Sequence, residues 1–507
     1  MASTMIHPVQ SIIEAGLEGL LVDVECRITS GLPAIIIVGY ANRSLDEAKE
    51  RIRGAFSGSG LQLPRKRITV NLAPGDIPKD GTGFDLAMAM AILLAGQPRL
   101  ASVLADSILL GELSLDGSVR PIRGIIGKLL AARSQGIRRC FIPAANLAQA
   151  QLVPGLELFP VPSLQSLYEH LLGLELLAHQ TSGQLPPAAN NQVPQTDLRL
   201  IAGQQKPKRA LEVAAAGGHH LLFTGPPGTG KTMLAKALPE ILPPLLPDEI
   251  LEVTQLHSLA SLHFDQIISQ RPLRNPHHSA SLRALIGGSN PPIPGEISLA
   301  HRGVLFLDEL PEFQRATIEA LRQPLEDCLV TIARARHNTT FPARFILIAT
   351  ANPCPCGYYG EERGCRCLAH HIAQYQRKLS GPILDRIELS IKVDATDHQQ
   401  ILGDNQATES STTVRQRVTA ARDIQLQRQK QLNSQLDNQA IKDHAHLTPH
   451  AEFMLNHYAQ KYDLSARAYL KTIKVARTIA DLAASEQIKR DHLQEALTLR
   501  YTPPLPL

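Results

Sequence analysis

An eight-residue glycine-rich run constrains this chain more than any other feature of its sequence. The run Gly225-Pro226-Pro227-Gly228-Thr229-Gly230-Lys231-Thr232 follows a short apolar stretch, LLFT at 221–224, and fits the pattern G-x-x-x-x-G-K-[ST]. Between a strand and a helix, such a run lets backbone N–H groups surround phosphate oxygens while the lysine reaches the β- and γ-phosphates. The threonine hydroxyl then ligates Mg²⁺. The sequence therefore predicts an α/β domain with a nucleoside triphosphate and Mg²⁺ site.

Two further apolar runs end in polar residues suited to the same chemistry. Residues 304–307 read VLFL and lead to Asp308 and Glu309, and residues 345–349 lead to Asn352. Ligands of open parallel sheets bind at the carboxyl ends of the strands, so these side chains are expected near the glycine-rich run. We predict that Asp308 joins Thr232 around Mg²⁺, that Glu309 orients and deprotonates the attacking water, and that Asn352 holds that water or the γ-phosphate.

These motifs, together with the run LSGPILDR that ends at Arg386, indicate a known family by their order and spacing. Residues from 197 onward resemble AAA+ ATPases of the magnesium-chelatase group, and nearly the whole chain is similar to the ComM/YifB family. The resemblance implies that Asn352 is sensor 1, that Arg386 is the arginine finger given to a neighbouring subunit, and that Arg467 is sensor 2. An arginine supplied in trans implies a ring, which we expect to be a homo-hexamer.

The resemblance also implies a function, which the residues alone do not fix. It implies an ATP-dependent DNA helicase that promotes branch migration during natural transformation and homologous recombination. Two alternatives stay open: a chelatase-like ATPase subunit, and a protein-remodelling factor. The chelatase alternative is disfavoured here because chelatase ATPase subunits are expected to lack an N-terminal domain such as this chain has.

The resemblance implies that two segments face the pore of such a ring. One is a hairpin at 330–345 with a polar tip, and the other is an insertion within 273–296. Their candidate contacts with single-stranded and branched DNA are Arg274, Arg334, Arg336 and His337, because cationic side chains bind phosphates without reading sequence.

The expected organisation is multidomain α/β. Residues 1–177 are expected to form an α+β domain that is similar to the proteolytic domain of Lon and has the ribosomal S5 domain 2-like fold. Residues 178–196 are expected to be a polar linker, 197–394 the AAA+ core and 395–507 a helical lid. Gly83 stands where Lon has its nucleophilic serine, and Ile126 where Lon has its lysine. We therefore expect no protease activity, because neither half of the dyad is present.

Four cysteines lie close together after Asn352. Cys354, Cys356, Cys365 and Cys367 form two C-x-C pairs. Four thiolates suit tetrahedral Zn²⁺, but C-x-C is a tighter bite than C-x₂-C, so structural zinc, an empty reduced cluster and a redox switch all stay open.

Composition excludes some classes of protein. The 507 residues carry a formal charge of +4, with 44% apolar and 19% charged residues, which argues against disorder and against a nucleic-acid binder that relies on bulk charge. No apolar run is long enough to cross a membrane, and the first residues do not resemble a signal peptide, so we expect a cytoplasmic protein without a membrane partner.

Overall fold

The chain forms a strand-rich N-terminal part, a central parallel sheet flanked by helices, and a C-terminal group of helices. This architecture is that of a computed structural model, which describes residues 8–15, 17–39, 43–75, 81–183, 196–261, 263, 265–289, 292–333, 338–361, 364–379, 381–394 and 409–500. The predicted mixed α/β class is confirmed.

The N-terminal part is built on an eight-stranded sheet of order β10-β9-β8-β5-β1-β2-β4-β3. Its strands are β1 (Val9–Ala15), β2 (Glu18–Thr29), β3 (Ala34–Val38), β4 (Arg67–Ala73), β5 (Ser107–Leu109), β6 (Glu112–Leu113), β7 (Val119–Arg120), β8 (Arg139–Pro143), β9 (Glu157–Val161) and β10 (Gln180–Thr181), of which β6 and β7 pair only with each other. Its helices are α1 (Arg43–Gly58), α2 (Asp85–Gly96), α3 (Ile125–Ser134), α4 (Leu147–Ala150) and α5 (Leu164–Leu172), with 3₁₀ turns at Pro98–Leu104 and Ala144–Asn146.

Alternation along the strands divides the N-terminal core between the two faces of this sheet. Val22 and Val24 of β2 pack on one face with α1 and α2, whereas Ile12 of β1 and Ile108 of β5 pack on the other with α3. This is the period-two pattern expected of β-strands.

Two residues of the polar segment predicted as a linker pair with the N-terminal sheet. Gln180 and Thr181 form β10, which pairs antiparallel with β9 through Gln180 and Leu158. Residues 180–181 therefore belong to the N-terminal sheet, because backbone pairing with an edge strand needs no apolar side chains and leaves no periodic signal in the sequence. The domain bounds themselves stay a prediction.

The central part contains a five-stranded parallel sheet of order β12-β15-β18-β11-β19. The strands are β11 (Leu221–Thr224), β12 (Leu273–Arg274), β13 (Gly287–Gly288), β14 (Ile293–Pro294), β15 (Val304–Leu307), β16 (Leu329–Ile332), β17 (Thr339–Pro342), β18 (Ile346–Ala351) and β19 (Leu389–Lys392), with β13–β14 and β16–β17 as separate hairpins. The helices are α6 (Gln205–Gly217), α7 (Lys231–Ile241), α8 (Pro247–Ala260), α9 (Leu282–Ile286), α10 (Glu296–Leu299), α11 (Arg315–Ala320), α12 (Arg322–Asp327), α13 (Ala369–Arg377) and α14 (Gly381–Leu384), with 3₁₀ turns at Leu198–Leu200 and Leu310–Glu312.

The C-terminal helices share a core with one face of the central sheet. They are α15 (Ser411–Gln429), α16 (Asn438–His444), α17 (Pro449–Lys461), α18 (Ala466–Leu482) and α19 (Arg490–Thr498), with a 3₁₀ turn at Asn433–Gln435. Phe223 and Phe306 of the sheet lie in one buried cluster with Val475 and Ile479 of α18. The helical region is thus held on the sheet by apolar packing.

The N-terminal part also contacts the central part directly. The Gln255 side chain of α8 donates a hydrogen bond from Nε2 to the Leu17 carbonyl, 2.7 Å away. Gln149 likewise donates to the Gln266 carbonyl at 3.0 Å, and Ile250 of α8 packs against the core beneath α3. The two parts meet along α8.

The positions that correspond to the Lon dyad are apolar or engaged in the fold. Ile126 is fully buried, and a side chain added at Gly83 would point toward Ile122. Lys128, the lysine closest in sequence to Ile126, is buried and its Nζ donates to the Arg123 carbonyl at 2.7 Å. Within the residues described, no helix is both long and apolar enough to span a bilayer.

Candidate nucleotide-binding site

The glycine-rich run connects β11 to α7 with backbone geometry that needs glycine at two positions. Gly228 and Gly230 have φ values of 80° and 85°, in the left-handed region that favours glycine. A Cβ at Gly225 would lie 2.2 Å from the Val393 carbonyl oxygen, so no larger residue fits there. The loop therefore leads into the N-terminus of α7, where free N–H groups and the helix dipole favour phosphate.

Lys231 is held over this loop by three acceptors. Its Nζ donates to the carbonyls of Gly225 and Pro226, at 2.8 and 2.7 Å, and to Asn352 Oδ1 at 3.3 Å. Burial lowers the pKa of Lys231, although the carboxylates of Asp308 and Glu309 act in the opposite direction. Burial deprives the ammonium of water, and a phosphate group beside it would supply a compensating negative charge.

Thr232 and Asp308 meet as two hard oxygen ligands for a divalent ion. Thr232 Oγ1 donates to Asp308 Oδ2 at 3.1 Å, and Thr350 Oγ1 donates to Asp308 Oδ1 at 2.6 Å. Adjacent ligands of an octahedral Mg²⁺ lie about 2.9 Å apart, given metal–oxygen distances of 2.0–2.1 Å. The hydroxyl and carboxylate thus fit Mg²⁺ with little movement.

Glu309 is aimed by an unusual backbone conformation. Its φ of 54° is left-handed, a geometry that costs a non-glycine residue about 1–3 kcal/mol and clusters at functional sites. Its N–H donates to Thr350 Oγ1 at 2.8 Å, and its side chain is exposed next to buried Leu307 and Leu310. Glu309 therefore faces solvent at the carboxyl end of β15, as expected of a base for water.

Asn352 follows β18, beside the strand that leads into the glycine-rich run. The N–H of Gly225 donates to the Ala351 carbonyl at 3.2 Å, which joins the two strand ends. Five predicted site residues are thus brought together at one edge of the sheet: Lys231, Thr232, Asp308, Glu309 and Asn352.

Arg386 and Arg467 are not part of this edge. They line a cleft of about 600 Å³ whose wall includes His220, Gly303 and Ile346, at the amino ends of β11, β15 and β18. The glycine-rich run and Asn352 follow the carboxyl ends of β11 and β18, about 13–20 Å away along strands of four to six residues. Neither arginine therefore lies at the nucleotide site of its own chain in this structure.

Glu326 bridges the two arginines. Its Oε1 lies 2.5 Å from Arg386 NH2 and 3.5 Å from Arg467 NH2, and the hydrogen bond from Arg386 lowers the pKa of Glu326. Arg386 is buried and its Nε has no hydrogen-bond partner among the described residues, while the Arg467 side chain is 65% exposed. The cleft carries eight cationic side chains and five carboxylates, so an anion from outside is favoured there.

Of the four predicted DNA contacts in the pore, the structure describes Arg274 alone. Strands β16 and β17 form the predicted hairpin, but the predicted contacts Arg334, Arg336 and His337 lie outside the described residues. Arg274 lies in β12 and donates twice to Glu296, at 2.6 and 2.7 Å. This bidentate pair favours a structural role for Arg274 over a pore contact.

The four cysteines converge on one point. Every pair of their Sγ atoms lies within 4.8 Å, and Cys354 is fully buried. The cluster can hold a metal ion, and the backbone N–H groups of Tyr358 and Arg366 lower the pKa of Cys356 to about 6.

Sequence reasoning missed two residues of these sites. Thr350 is not among the predicted site residues, although its hydroxyl contacts Asp308 and the Glu309 backbone. No sequence motif identifies Glu326, because the two arginines that it joins lie 60 and 141 positions further along the chain. A polar residue in the apolar run before Asn352 was the available clue for Thr350.

Comparison with known proteins agrees with this geometry. The family described as magnesium chelatase, subunit ChlI, matches residues 197–401, its C-terminal family matches 408–500, and subunit ChlI of Mg-chelatase matches 24–146. The uncharacterised protein YifB of Salmonella typhimurium is 42% identical over 96% of this chain and 95% of its own length. The competence protein ComM of Haemophilus influenzae is 42% identical over 97% of both chains.

A shorter match concerns the N-terminal part alone. Lon protease of Azorhizobium caulinodans is 34% identical over 25% of this chain and 16% of its own length. Because residues 24–146 also match a family named for a chelatase subunit, an N-terminal domain does not by itself argue against a chelatase-like ATPase.

Proposed function

We propose a function from one premise: the chain belongs to the family of magnesium-chelatase-like AAA+ ATPases that includes YifB and the competence protein ComM. In this proposal the protein is a hexameric, ATP-driven DNA helicase that promotes branch migration during natural transformation and homologous recombination. Its cofactors are ATP and Mg²⁺, and its place is the cytoplasm, where DNA and ATP occur together.

The observation that supports a ring is the division of the catalytic groups between opposite edges of the sheet. Lys231, Asp308 and Glu309 lie at the carboxyl ends of the strands, and Arg386 lies in the cleft at the amino ends. A head-to-tail contact between two copies would place the arginine cleft of one against the nucleotide of the next, and repeating such a contact closes a ring.

Each residue of the composite site then has a defined task in hydrolysis. Lys231 and the loop N–H groups bind the β- and γ-phosphates, and Glu309 accepts a proton from the water that attacks the γ-phosphorus. Mg²⁺, held by Thr232 and Asp308, supplies charge neutralisation when bound. Arg386 and Arg467 of the neighbour neutralise the charge on the transferred phosphoryl group once Glu326 releases them.

The proposal that the ring moves along DNA is supported by the family to which the chain belongs. The relative from Haemophilus influenzae is named a competence protein. The hairpin of β16 and β17 fits this role, because six copies of its tip, each with Arg334, Arg336 and His337, would concentrate positive charge around a strand.

The ATPase rate of the full chain in Mg²⁺ tests the proposal, measured alone and with single-stranded DNA, forked DNA or an unfolded protein. We expect forked DNA to stimulate hydrolysis several-fold and the enzyme to migrate a branched junction. Lys231→Ala should lose both activities, since the γ-phosphate loses its charged partner.

The other outcomes identify the alternatives. Stimulation by unfolded protein and none by DNA, at low salt with nucleotide present, would replace the helicase with a protein-remodelling factor. Stimulation by a porphyrin-binding partner protein would indicate a chelatase-like subunit.

A further inference from the structure

The turn that carries the four cysteines lies directly against the nucleotide loop. It begins two residues after Asn352, between β18 and α13. Gly357, in the middle of the turn, is buried, and a Cβ there would lie 2.5 Å from Pro227 Cδ. The cysteine turn therefore packs closely on the Pro227 ring of the phosphate-binding loop.

The sulfur atoms already approximate the corners of a single-ion site. Cys354 Sγ lies 3.3 Å from Cys356 Sγ and 3.6 Å from Cys365 Sγ, and Cys356 and Cys365 Sγ are 3.5 Å apart. Four sulfurs at the zinc–thiolate distance of 2.3 Å form a tetrahedron with edges of about 3.8 Å. The pairs from the two ends of the turn therefore converge, and the short C-x-C spacing does not prevent tetrahedral binding.

Other uses of the cluster fit less well. A disulfide holds its sulfurs about 2.05 Å apart, whereas all seven cysteines of the chain are free. The thiol sulfurs also receive backbone hydrogen bonds, such as that from the Cys367 N–H to Cys365 Sγ at 3.3 Å. This donor favours the thiolate, the form in which cysteine binds a metal, whereas desolvation and the neighbouring cysteine side chains raise the pKa of Cys365.

The turn is anchored to the nucleotide site at its start. Asn352 Oδ1 accepts a hydrogen bond from Lys231 Nζ, and Gln376 Nε2 of α13 donates to the Pro353 carbonyl at 3.1 Å. Tyr375 makes a further hydrogen bond with the Asn352 backbone. A metal ion that joins the four cysteines would therefore hold Asn352 in place, and it would also hold Gly357 against Pro227.

We propose that Cys354, Cys356, Cys365 and Cys367 bind one Zn²⁺, and that this ion clamps the turn against the phosphate-binding loop so that zinc and nucleotide stabilise each other's binding. Zinc–sulfur bonds replace the sulfur–hydrogen bonds, and the displaced protons go to solvent. The coupling is reciprocal by thermodynamic necessity. It rests on nucleotide binding at the glycine-rich run, as proposed above, whereas the zinc site itself does not.

Zinc content tests the site. We expect about one zinc per protomer in protein purified without chelators, and loss of most of it in Cys365→Ser. Cys328→Ser is the matched control, because Cys328 lies outside the cluster and should leave the zinc in place. Wild-type protein with less than about 0.2 zinc per protomer would overturn the proposal.

The rate at which a chelator removes zinc tests the coupling. Saturating ADP and excess Mg²⁺ should slow removal at least about five-fold in the wild-type protein, and Lys231→Ala should show no such protection. Metal-stripped protein should bind a fluorescent nucleotide several-fold more weakly than zinc-loaded protein, and the zinc affinities measured with and without nucleotide should differ by that same ratio.

A second variant separates the clamp from folding. Gly357→Ala keeps all four cysteines, but its Cβ meets Pro227 and its φ of 85° strains alanine. Zinc content is therefore measured first, and the variant that holds zinc should lose the protection by nucleotide. Equal rates with and without nucleotide, in wild-type protein shown to bind it, would overturn the coupling. If the wild-type protein holds zinc but binds no nucleotide, the proposed function fails while the metal site stands.

Discussion

The hydroxyl of Thr350 touches both acidic residues of the nucleotide site. It donates to Asp308 Oδ1 and accepts from the Glu309 N–H, and it is almost fully buried. Through these two bonds it fixes one ligand of Mg²⁺ and the left-handed backbone that turns Glu309 toward solvent. A positioning residue of this kind affects the reaction without touching the substrate.

Thr350→Val should therefore lower the rate of ATP hydrolysis by about 10- to 100-fold while nucleotide affinity changes little, because misplacement by about 1 Å costs that much. Valine keeps the shape and removes the hydroxyl. Thr350→Ser, which keeps the hydroxyl, is the control and should retain most of the rate. Steady-state kinetics and a separate nucleotide-binding measurement would show whether the rate falls while the affinity is kept. Equal losses of rate in Thr350→Val and Thr350→Ser would contradict this role.

At the scale of elements, α18 is joined to the central sheet by a buried polar contact as well as by apolar packing. His219, just before β11, lies 2.8 Å from Thr478 Oγ1 of α18, and both residues are fully buried. The same hydroxyl accepts from Asn433 Nδ2 at 3.0 Å and donates to the Lys474 carbonyl. His219 Nε2 therefore acts as a donor, which makes Nδ1 the unprotonated nitrogen.

Thr478→Val should destabilise this junction by about 1–3 kcal/mol, since it leaves buried donors on His219 and Asn433 without an acceptor. Thermal unfolding should show a lower midpoint for the transition that includes the C-terminal helices. Thr498→Val, on the exposed face of α19, removes a hydroxyl that bonds only the Glu495 carbonyl and should change the midpoint little. A similar shift in both variants would contradict the buried role.

The same junction predicts a pH dependence. Burial lowers the pKa of His219 to about 4, with Lys474, His220 and Lys471 adding to the effect and Glu388 opposing it. The unfolded chain binds this proton below about pH 6.5 and the native chain only below about 4, so stability is full above 6.5 and falls toward pH 4. The loss is at most roughly 3 kcal/mol.

Melting temperatures between pH 7.5 and 5 test this dependence. His219→Asn should flatten the slope over that range, whatever its effect at pH 7.5, because asparagine does not titrate. An unchanged slope would assign the acid sensitivity to other groups.

Elements with a clear period were predictable, and contacts between distant elements were not. Val22, Val24, Cys26 and Ile28 alternate with charged residues, a pattern that predicts a strand, and they lie in β2. The motifs that end in Asp308 and Asn352 likewise predict strands of the central sheet. The placement of Arg386 and Arg467 beside Glu326 depends on how α12, α14 and α18 pack, which no local pattern encodes. The structure thus brings together the predicted residues at the carboxyl ends of parallel strands and places Arg386, just after α14, and Arg467, in the first turn of α18, in a separate cleft.

At the scale of the whole molecule, a nearly neutral chain is compatible with a DNA motor only if charge is concentrated by assembly. The formal charge is +4 over 507 residues, and several arginines are used in structural pairs such as Arg274 with Glu296 and Arg302 with Glu252. A single protomer should therefore bind DNA weakly, and binding should rise when nucleotide supports the ring.

A mixture of two inactive variants tests whether the ring completes its sites between neighbours. Lys231→Ala has no functional phosphate loop but an intact arginine cleft, and Arg386→Ala has the reverse. In a ring assembled from equal amounts, one contact in four joins an intact loop to an intact cleft, so about a quarter of the wild-type ATPase rate should return if the sites act independently. Neither variant alone should exceed a few per cent of wild type, and each must be shown to assemble. A mixture that stays as inactive as its components would mean that each chain completes its own site, against the separation of the two edges in this fold.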